Sequence, residues 1–322
     1  LLDLYNSDVH NQFTAVPRHY ANIYYNGIVG KLNIDFNADY IWYKSRELTF
    51  NNELSEMGND REVNTSSINR NRMFAEKLVM TYPLWKGQIE IGEEYTNTRT
   101  TNLFSANIPE TPNADNRVDD NNIAVFAELG QQFGRFMIGA GLRYEHVKFN
   151  YYEMGLLRDG QSKTYNNIFP SLNIATQVGK VRMGLNYTGK TIRPGYGQLD
   201  GAISYINRLT YETGNPYLKP TKLQTVEYMA QWRRFFAQLS FTYFKDGVYH
   251  ITEPYGPEGE ATIIRTANLD HRHYLQAFVG GNFQVGVWQP KVNVGMMKQW
   301  LSLPVNGEQV NMNTPIFMLQ WQ

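Results

Sequence analysis

Leu32-Asn33-Ile34-Asp35-Phe36-Asn37-Ala38-Asp39-Tyr40-Ile41-Trp42 alternates apolar and polar side chains almost without a break. Successive residues of a β-strand point to opposite faces, so Leu32, Ile34, Phe36, Ala38, Tyr40 and Trp42 share one face, and Asn33, Asp35, Asn37 and Asp39 share the other. An apolar stripe of this length needs cover, while its reverse side is wet. The stretch therefore reads as one long, half-buried strand.

The same period recurs from end to end. Val181, Met183, Leu185 and Tyr187 oppose Arg182, Gly184, Asn186 and Thr188; Ala237, Leu239, Phe241 and Tyr243 oppose Gln238, Ser240 and Thr242. About thirteen such segments can be distinguished, many of them roughly ten to eighteen residues long, against about five or six for a strand in a soluble protein. The helical period is almost absent, so the chain is all-β. No apolar run reaches the ~18 residues of a membrane-spanning helix, and Leu1 to Asn6 lacks the basic and apolar regions of a signal peptide.

The connections constrain the architecture further. Tight, Gly-, Pro- or basic-rich ones are expected at 29–31, 83–87, 133–135, 178–180, 233–234 and 287–290. Long polar ones are expected at 51–67, 105–120, 153–163, 193–220, 252–260 and 302–308, so that short and long alternate throughout. A soluble sandwich has no reason to gather its long loops at one end of its strands. A transmembrane β-barrel does, with short turns on one side, long loops on the other, an outward apolar face, a polar lumen and aromatic girdles at both interfaces. Closure also removes unpaired edges, which lipid does not tolerate.

Composition agrees. The 322 residues carry 30 basic and 30 acidic side chains, and 14% are aromatic, with 22 Tyr among them. Balanced charge speaks against a strongly basic nucleic-acid binder and against an acidic disordered chain. With 0 cysteines there is no disulfide, thiolate metal site or thiol nucleophile.

Tyr211-Glu212-Thr213-Gly214-Asn215-Pro216-Tyr217-Leu218-Lys219-Pro220, with Glu227 in the following strand, resembles the G-N-P-x-L-x-P loop of TonB-dependent outer-membrane receptors, in particular the Bacteroidetes-type β-barrel group. Gly141-Leu142-Arg143-Tyr144-Glu145 is similar to a strand of the same barrels, and Asn167 to Leu172 and Arg193 to Tyr196 fall in the expected order between the two. The resemblance implies a Gram-negative outer-membrane importer with a barrel of about 22 strands, a plug in its lumen and periplasmic TonB as its energy source. It implies outer-membrane lipid and the chain's own plug as partners and admits a surface lipoprotein as another. Residues 1–322 are then expected to be one barrel segment of a longer receptor, its first and last strands both descending toward the periplasm, with the plug and about nine strands elsewhere. A barrel acting as a surface adhesin or scaffold without import is the alternative.

Candidate chemistry follows from these faces. Asp35, Asp39, Glu90, Glu94, Arg143, Glu145, Arg182 and Glu227 fall on the polar side and are expected to line the lumen, with Arg143 and Glu145 foremost for plug contact. Arg193, Tyr196, Tyr205, Arg208, Tyr211 and Tyr217 lie in the longest loop and are expected to meet the ligand, since aromatic and polar groups together can stack on a sugar or a chelate. Asp115, Asp119 and Asp120 supply oxygen donors suited to Ca²⁺ but lack an EF-hand's spacing. His271 and His273 share a face without a third ligand in sequence. No hydrolase, zinc-protease or phosphate-loop motif occurs, so neither an enzyme nor a cofactor is implied.

Overall fold

The computed structural model describes residues 5–14, 18–56, 58–284, 286–305 and 308–321. Its elements in order are β1 (Tyr5–Thr14), β2 (His19–Val29), β3 (Leu32–Ser55), β4 (Arg61–Leu84), β5 (Gly87–Ala106), β6 (Ala114–Phe133), β7 (Phe136–Glu153), β8 (Leu156–Leu157), β9 (Lys163–Val178) and β10 (Val181–Ile192). There follow the single turn α1 (Tyr196–Leu199), then β11 (Ile203–Asn207), β12 (Thr210–Thr213), β13 (Thr221–Trp232), β14 (Phe235–Tyr255), β15 (Ala261–Asn282), β16 (Lys291–Val305), β17 (Glu308–Met312) and β18 (Pro315–Trp321).

All 18 strands belong to one sheet. β1 pairs with the far half of β3 and β2 with its near half, so the two share a single wall position. β17 and β18 share another beside β16. The wall then runs β3, β4, β5, β6, β7, β9, β10, β13, β14, β15 and β16, each antiparallel to the next, and matches the count read from the alternation. Among the described residues no ladder joins β1 or β2 to β17 or β18.

Five connections are two-residue turns in which the first central residue has positive φ: Gly30 (63°), Trp85 (51°), Gly134 (58°), Gly179 (60°) and Arg233 (51°). That pattern is the type II′ hairpin turn, whose twist suits the strands it joins.

Strand length is where the sequence expectation needs correction. β3 and β4 are 24 residues each, and the polar stretches expected as loops at 51–67 and 105–120 are largely ladder, with Thr49 opposite Thr65 and Asn102 opposite Asn116. Crossing a bilayer takes only about 9–11 residues. The remainder of these strands stands in water, where apolar residues fall on both faces, Phe50, Leu54 and Leu103 outside and Val63 and Phe104 inside, and the alternation that marks a strand fades. The alternation of short and long connections also fails at the end of the chain. β16 and β17 form a close hairpin with Val305 opposite Glu308, where 302–308 is expected as a long loop. Its residues 306 and 307 lie outside the described set. The opposite connection, expected tight at 287–290, extends over 283–290 and is closed by the Phe283 N–H donating to the Pro290 carbonyl at 2.8 Å.

One face of the wall leaves Ile91, Val125, Leu142, Leu172, Leu185, Leu239 and Val294 exposed, a continuous apolar surface of a kind that water does not tolerate. Aromatic residues bound it. Toward the long loops lie the ring pairs His19/Trp42 at 5.1 Å, Phe74/Tyr95 at 6.3 Å and Tyr243/His273 at 5.2 Å. Toward the short turns lie Trp232 stacked on Phe235 at 5.8 Å, together with exposed Trp85 and Trp321. This is a lipid-facing belt between two girdles.

Candidate functional site

The polar face carries a ladder of ion pairs that climbs across several strands. Lys77 on β4 sets its Nζ 2.9 Å from Glu94 on β5. Arg143 on β7 reaches Glu94 at 2.5 Å with Nη2 and Glu145 at 2.8 Å with Nε. Arg193, just past β10, lies 3.9 Å from Glu145 and 3.6 Å from Asp120, and the Tyr196 hydroxyl donates to the same Asp120 oxygen at 3.4 Å. The series begins at the height of the lipid belt and ends on α1. Its wall members share one face because register sets Lys77 opposite Glu94, Glu94 opposite Ala124 and Ala124 opposite Glu145, while Asp120 and Arg143 lie an even number of residues from Ala124 and Glu145 on their strands.

Residues 193–220 form a strap across that face. The chain leaves β10, packs Leu199 and Leu218 on Val118, Phe149 and Tyr151 of β6 and β7, crosses to β3 and β4, and returns by pairing β12 in parallel with β15, Tyr211 opposite Ile263. Tyr211, Ala261 and Ile263 form a second small core with Tyr205 and Tyr255 around them. Because one short segment touches β3, β6, β7 and β15 from the same side, that side is concave and is the lumen.

Polar contacts fix the strap at each crossing. The Asp200 carboxylate accepts from Asn102 Nδ2 and, at 2.6 Å, from Asn116 Nδ2. Arg208 Nε lies 2.9 Å from Glu53, whose side chain is 0% exposed. The Asn51 amide donates to the Ile206 carbonyl at 3.3 Å. Asn215 turns the chain by accepting from the Tyr217 N–H at 2.9 Å while its own amide donates to the Thr266 carbonyl at 2.9 Å. Burial raises the Asp200 carboxyl above its ordinary pKa, pushes the Tyr196 hydroxyl up to about 12, and raises those of Tyr205 and Tyr211.

The residues singled out in the sequence divide clearly. Asp35 accepts from Tyr24 at 3.1 Å and Asn26 at 2.8 Å, and Asp39 from Tyr20 at 2.8 Å and Asn22 at 2.7 Å. Arg182 donates to Gln177 at 3.2 Å, Glu227 accepts from Gln238 at 3.0 Å, and Glu90 stands opposite Glu128. All share the face of the ladder. Of the strap residues, Arg193, Tyr196, Tyr205, Arg208 and Tyr211 are engaged in its packing and pairing, whereas Tyr217 is 57% exposed.

Asp115, Asp119 and Asp120 lie in β6 and do not converge. Asp119 points outward to Arg99 at 2.5 Å, and Asp120 points into the lumen. His271 and His273 lie on the outer face with ring centres 5.8 Å apart.

Sequence reasoning passed over Glu53, Asn102, Asn116 and Asp200. Glu53 did carry a signal, since it continues the odd-numbered face of Asn33, Asp35, Asn37 and Asp39. The other three depend on contacts between residues 84 and 98 apart in sequence.

Residues 29–322 match the model of the outer membrane protein beta-barrel family. No curated protein matches the chain in sequence. Among solved structures it is similar to the copper transporter OprC, with 11% identity and a TM-score of 0.54 over 84% of this chain and 47% of that one. It is similar also to the Serratia marcescens hemophore receptor HasR, with 10% identity and a TM-score of 0.51 over 93% and 54%. The ferric enterobactin receptor PfeA from Pseudomonas aeruginosa gives 13% and 0.51 over 88% and 51%. At such identities the likeness is one of fold, and the chain spans about half the length of these structures. Lipid belt, polar lumen, girdles and family match agree: the chain is an antiparallel barrel wall of the Gram-negative outer membrane and belongs to the outer membrane protein beta-barrel family.

Proposed function

We propose that this wall and its strap form the outer mouth of an energy-driven importer, in which a plug seated against the lumen is displaced by periplasmic TonB after a ligand binds outside. The observation that supports this reading is the ion-pair ladder from Lys77 to Asp120, which ends on the strap that covers the mouth. Partly wet charge pairs of this kind exchange partners at little cost, which suits a surface that must both hold a plug and release it. Arg143 and Glu145 are the wall groups assigned to plug contact.

Ligand contact is assigned to the outer side of the strap. Tyr217 presents its ring there, while Arg193, Tyr196, Tyr205, Arg208 and Tyr211 hold the strap in the shape that presents it. Uptake assays on the full-length receptor should begin with ferric chelates, haem and copper, the cargoes named for structures of the same fold. Arg143→Glu should lower import while surface abundance and ligand binding persist, and adding Glu145→Arg should restore part of it. Unchanged import with Arg143→Glu alone would remove the ladder from the mechanism. Ligand binding with no uptake in cells that contain TonB would favour the adhesin or scaffold reading.

A further inference from the structure

The outer face just beyond the aromatic girdle carries a group of cations that have no partner among the described residues. Above Trp42 on β3 come Lys44 and Arg46, and above Phe74 on β4 come Arg72 and Arg70. Register sets Lys44 directly opposite Arg70, and Arg72 directly opposite Arg99 of β5. Side chains so placed have Cβ atoms only about 4.5–5.5 Å apart, and like charges there destabilise a sheet. The one carboxylate in reach on the neighbouring strand, Asp119, is taken by Arg99 at 2.5 Å and Arg117 at 3.6 Å. Among the described residues Lys44, Arg46, Arg70 and Arg72 make no side-chain hydrogen bond or ion pair, and Arg46, Arg70 and Arg72 are exposed.

Height on the wall identifies what would neutralise them. The lipid-facing run of β3 from Leu32 to Trp42 is about the length that crosses a bilayer, so Lys44 and Arg46 emerge at the level of the outer-leaflet headgroups. They point away from the lumen, which puts them out of reach of a ligand or plug inside. We propose that Lys44, Arg46, Arg70 and Arg72 form a binding site for the phosphate groups of an anionic, phosphorylated glycolipid of the outer leaflet. The guanidinium fork fits two phosphate oxygens at once, and several cations around one phosphate convert a mutual repulsion into a shared attraction. The site is continuous with the lipid belt below it, so the acyl chains of the same molecule lie along Phe36, Ala38 and Leu78.

The test is lipid retention by the full-length protein extracted from outer membranes, with bound phosphorylated glycolipid measured by native mass spectrometry after detergent washing. Wild type and Lys180→Gln, which removes a cation at the opposite end of the wall, should retain it equally. Arg70→Gln combined with Arg72→Gln should retain several-fold less. In lipid nanodiscs the wild-type protein should enrich the phosphorylated glycolipid over its dephosphorylated form with the same acyl chains, a comparison that holds even if the double variant does not fold. Equal enrichment of the two forms would overturn the proposal. So would undiminished retention by the double variant, release of the lipid's advantage by inorganic phosphate alone at millimolar concentration, or loss from the variant of an acidic protein partner with bound lipid unchanged.

Discussion

Arg208 places its guanidinium 2.9 Å from the carboxylate of Glu53, a residue 155 positions earlier whose side chain has no exposure to solvent. The pair ties the middle of the strap to the top of β3. A buried carboxylate that loses its cation keeps its desolvation cost, so breaking such a pair by removing one partner costs about 3–5 kcal/mol. Arg208→Ala should release residues 203–213 without unfolding the wall. Hydrogen exchange over that segment should accelerate while the heat resistance of the barrel in detergent is retained. Glu53→Gln with Arg208→Gln, which removes both charges, should exchange more slowly than Arg208→Ala alone.

Asp200 gives the strap a dependence on pH. Its carboxyl is raised on folding because burial disfavours the charged form, against the opposing bonds from Asn116 and Asn102. A group raised in this way contributes stability that is complete below its unfolded pKa and is lost as pH rises through the folded one. The strap should therefore be tightest in acid and loosen upward from the ordinary carboxylate range. Asp200→Asn should flatten the profile and hold the strap at least as firmly at neutral pH. Asn102 Oδ1 and Asn116 Oδ1 are buried without partners and can accept from the new amide once a side chain turns over. Exchange protection of residues 196–200, corrected for intrinsic rate and followed from about pH 4 to about pH 8, measures both slopes.

Gly214 stands where no other residue fits. A Cβ there would lie 2.3 Å from the Asp200 carbonyl oxygen and 2.7 Å from those of Gln198 and Gly197, all of them backbone atoms that cannot swing aside. Gly214→Ala should cost about 1–3 kcal/mol of local stability, the usual range for overpacking. Faster proteolytic cleavage between residues 193 and 220, with the rest of the chain still protected, is the expected readout.

Tyr217 tests the ligand assignment separately from the strap. Its backbone N–H is held by Asn215 while its ring is exposed, so Tyr217→Ala should weaken ligand binding and leave exchange protection of the strap unchanged. A loss of protection would mean instead that the ring supports the strap.

How much of this was legible in the sequence depended on contrast between the two faces. Leu32 to Trp42 announced its strand because one side meets lipid and the other water. Beyond the girdle that contrast disappears, and Asn51, Thr65 and Asn116 read as loop although their backbones continue the ladder. The lumen residues Arg143, Glu145 and Glu94 were accessible through parity alone. Their joining into one ladder was not, because strand register brings together positions as far apart as Glu94 and Arg143. The strap looked like a long polar loop for a related reason: Leu199, Tyr211 and Leu218 find their apolar cover on distant strands, and no local period records it.

The parallel pairing of β12 with β15 has a consequence for the order of assembly. Tyr211 can find Ile263 only after the chain between them has been made and the β13–β14 hairpin has entered the wall. Contacts so distant in sequence form late. Until β13 to β15 are in place the strap lacks this pairing, and the mouth is without the cover that β12 supplies. Closure of the mouth reports that the later strands have arrived.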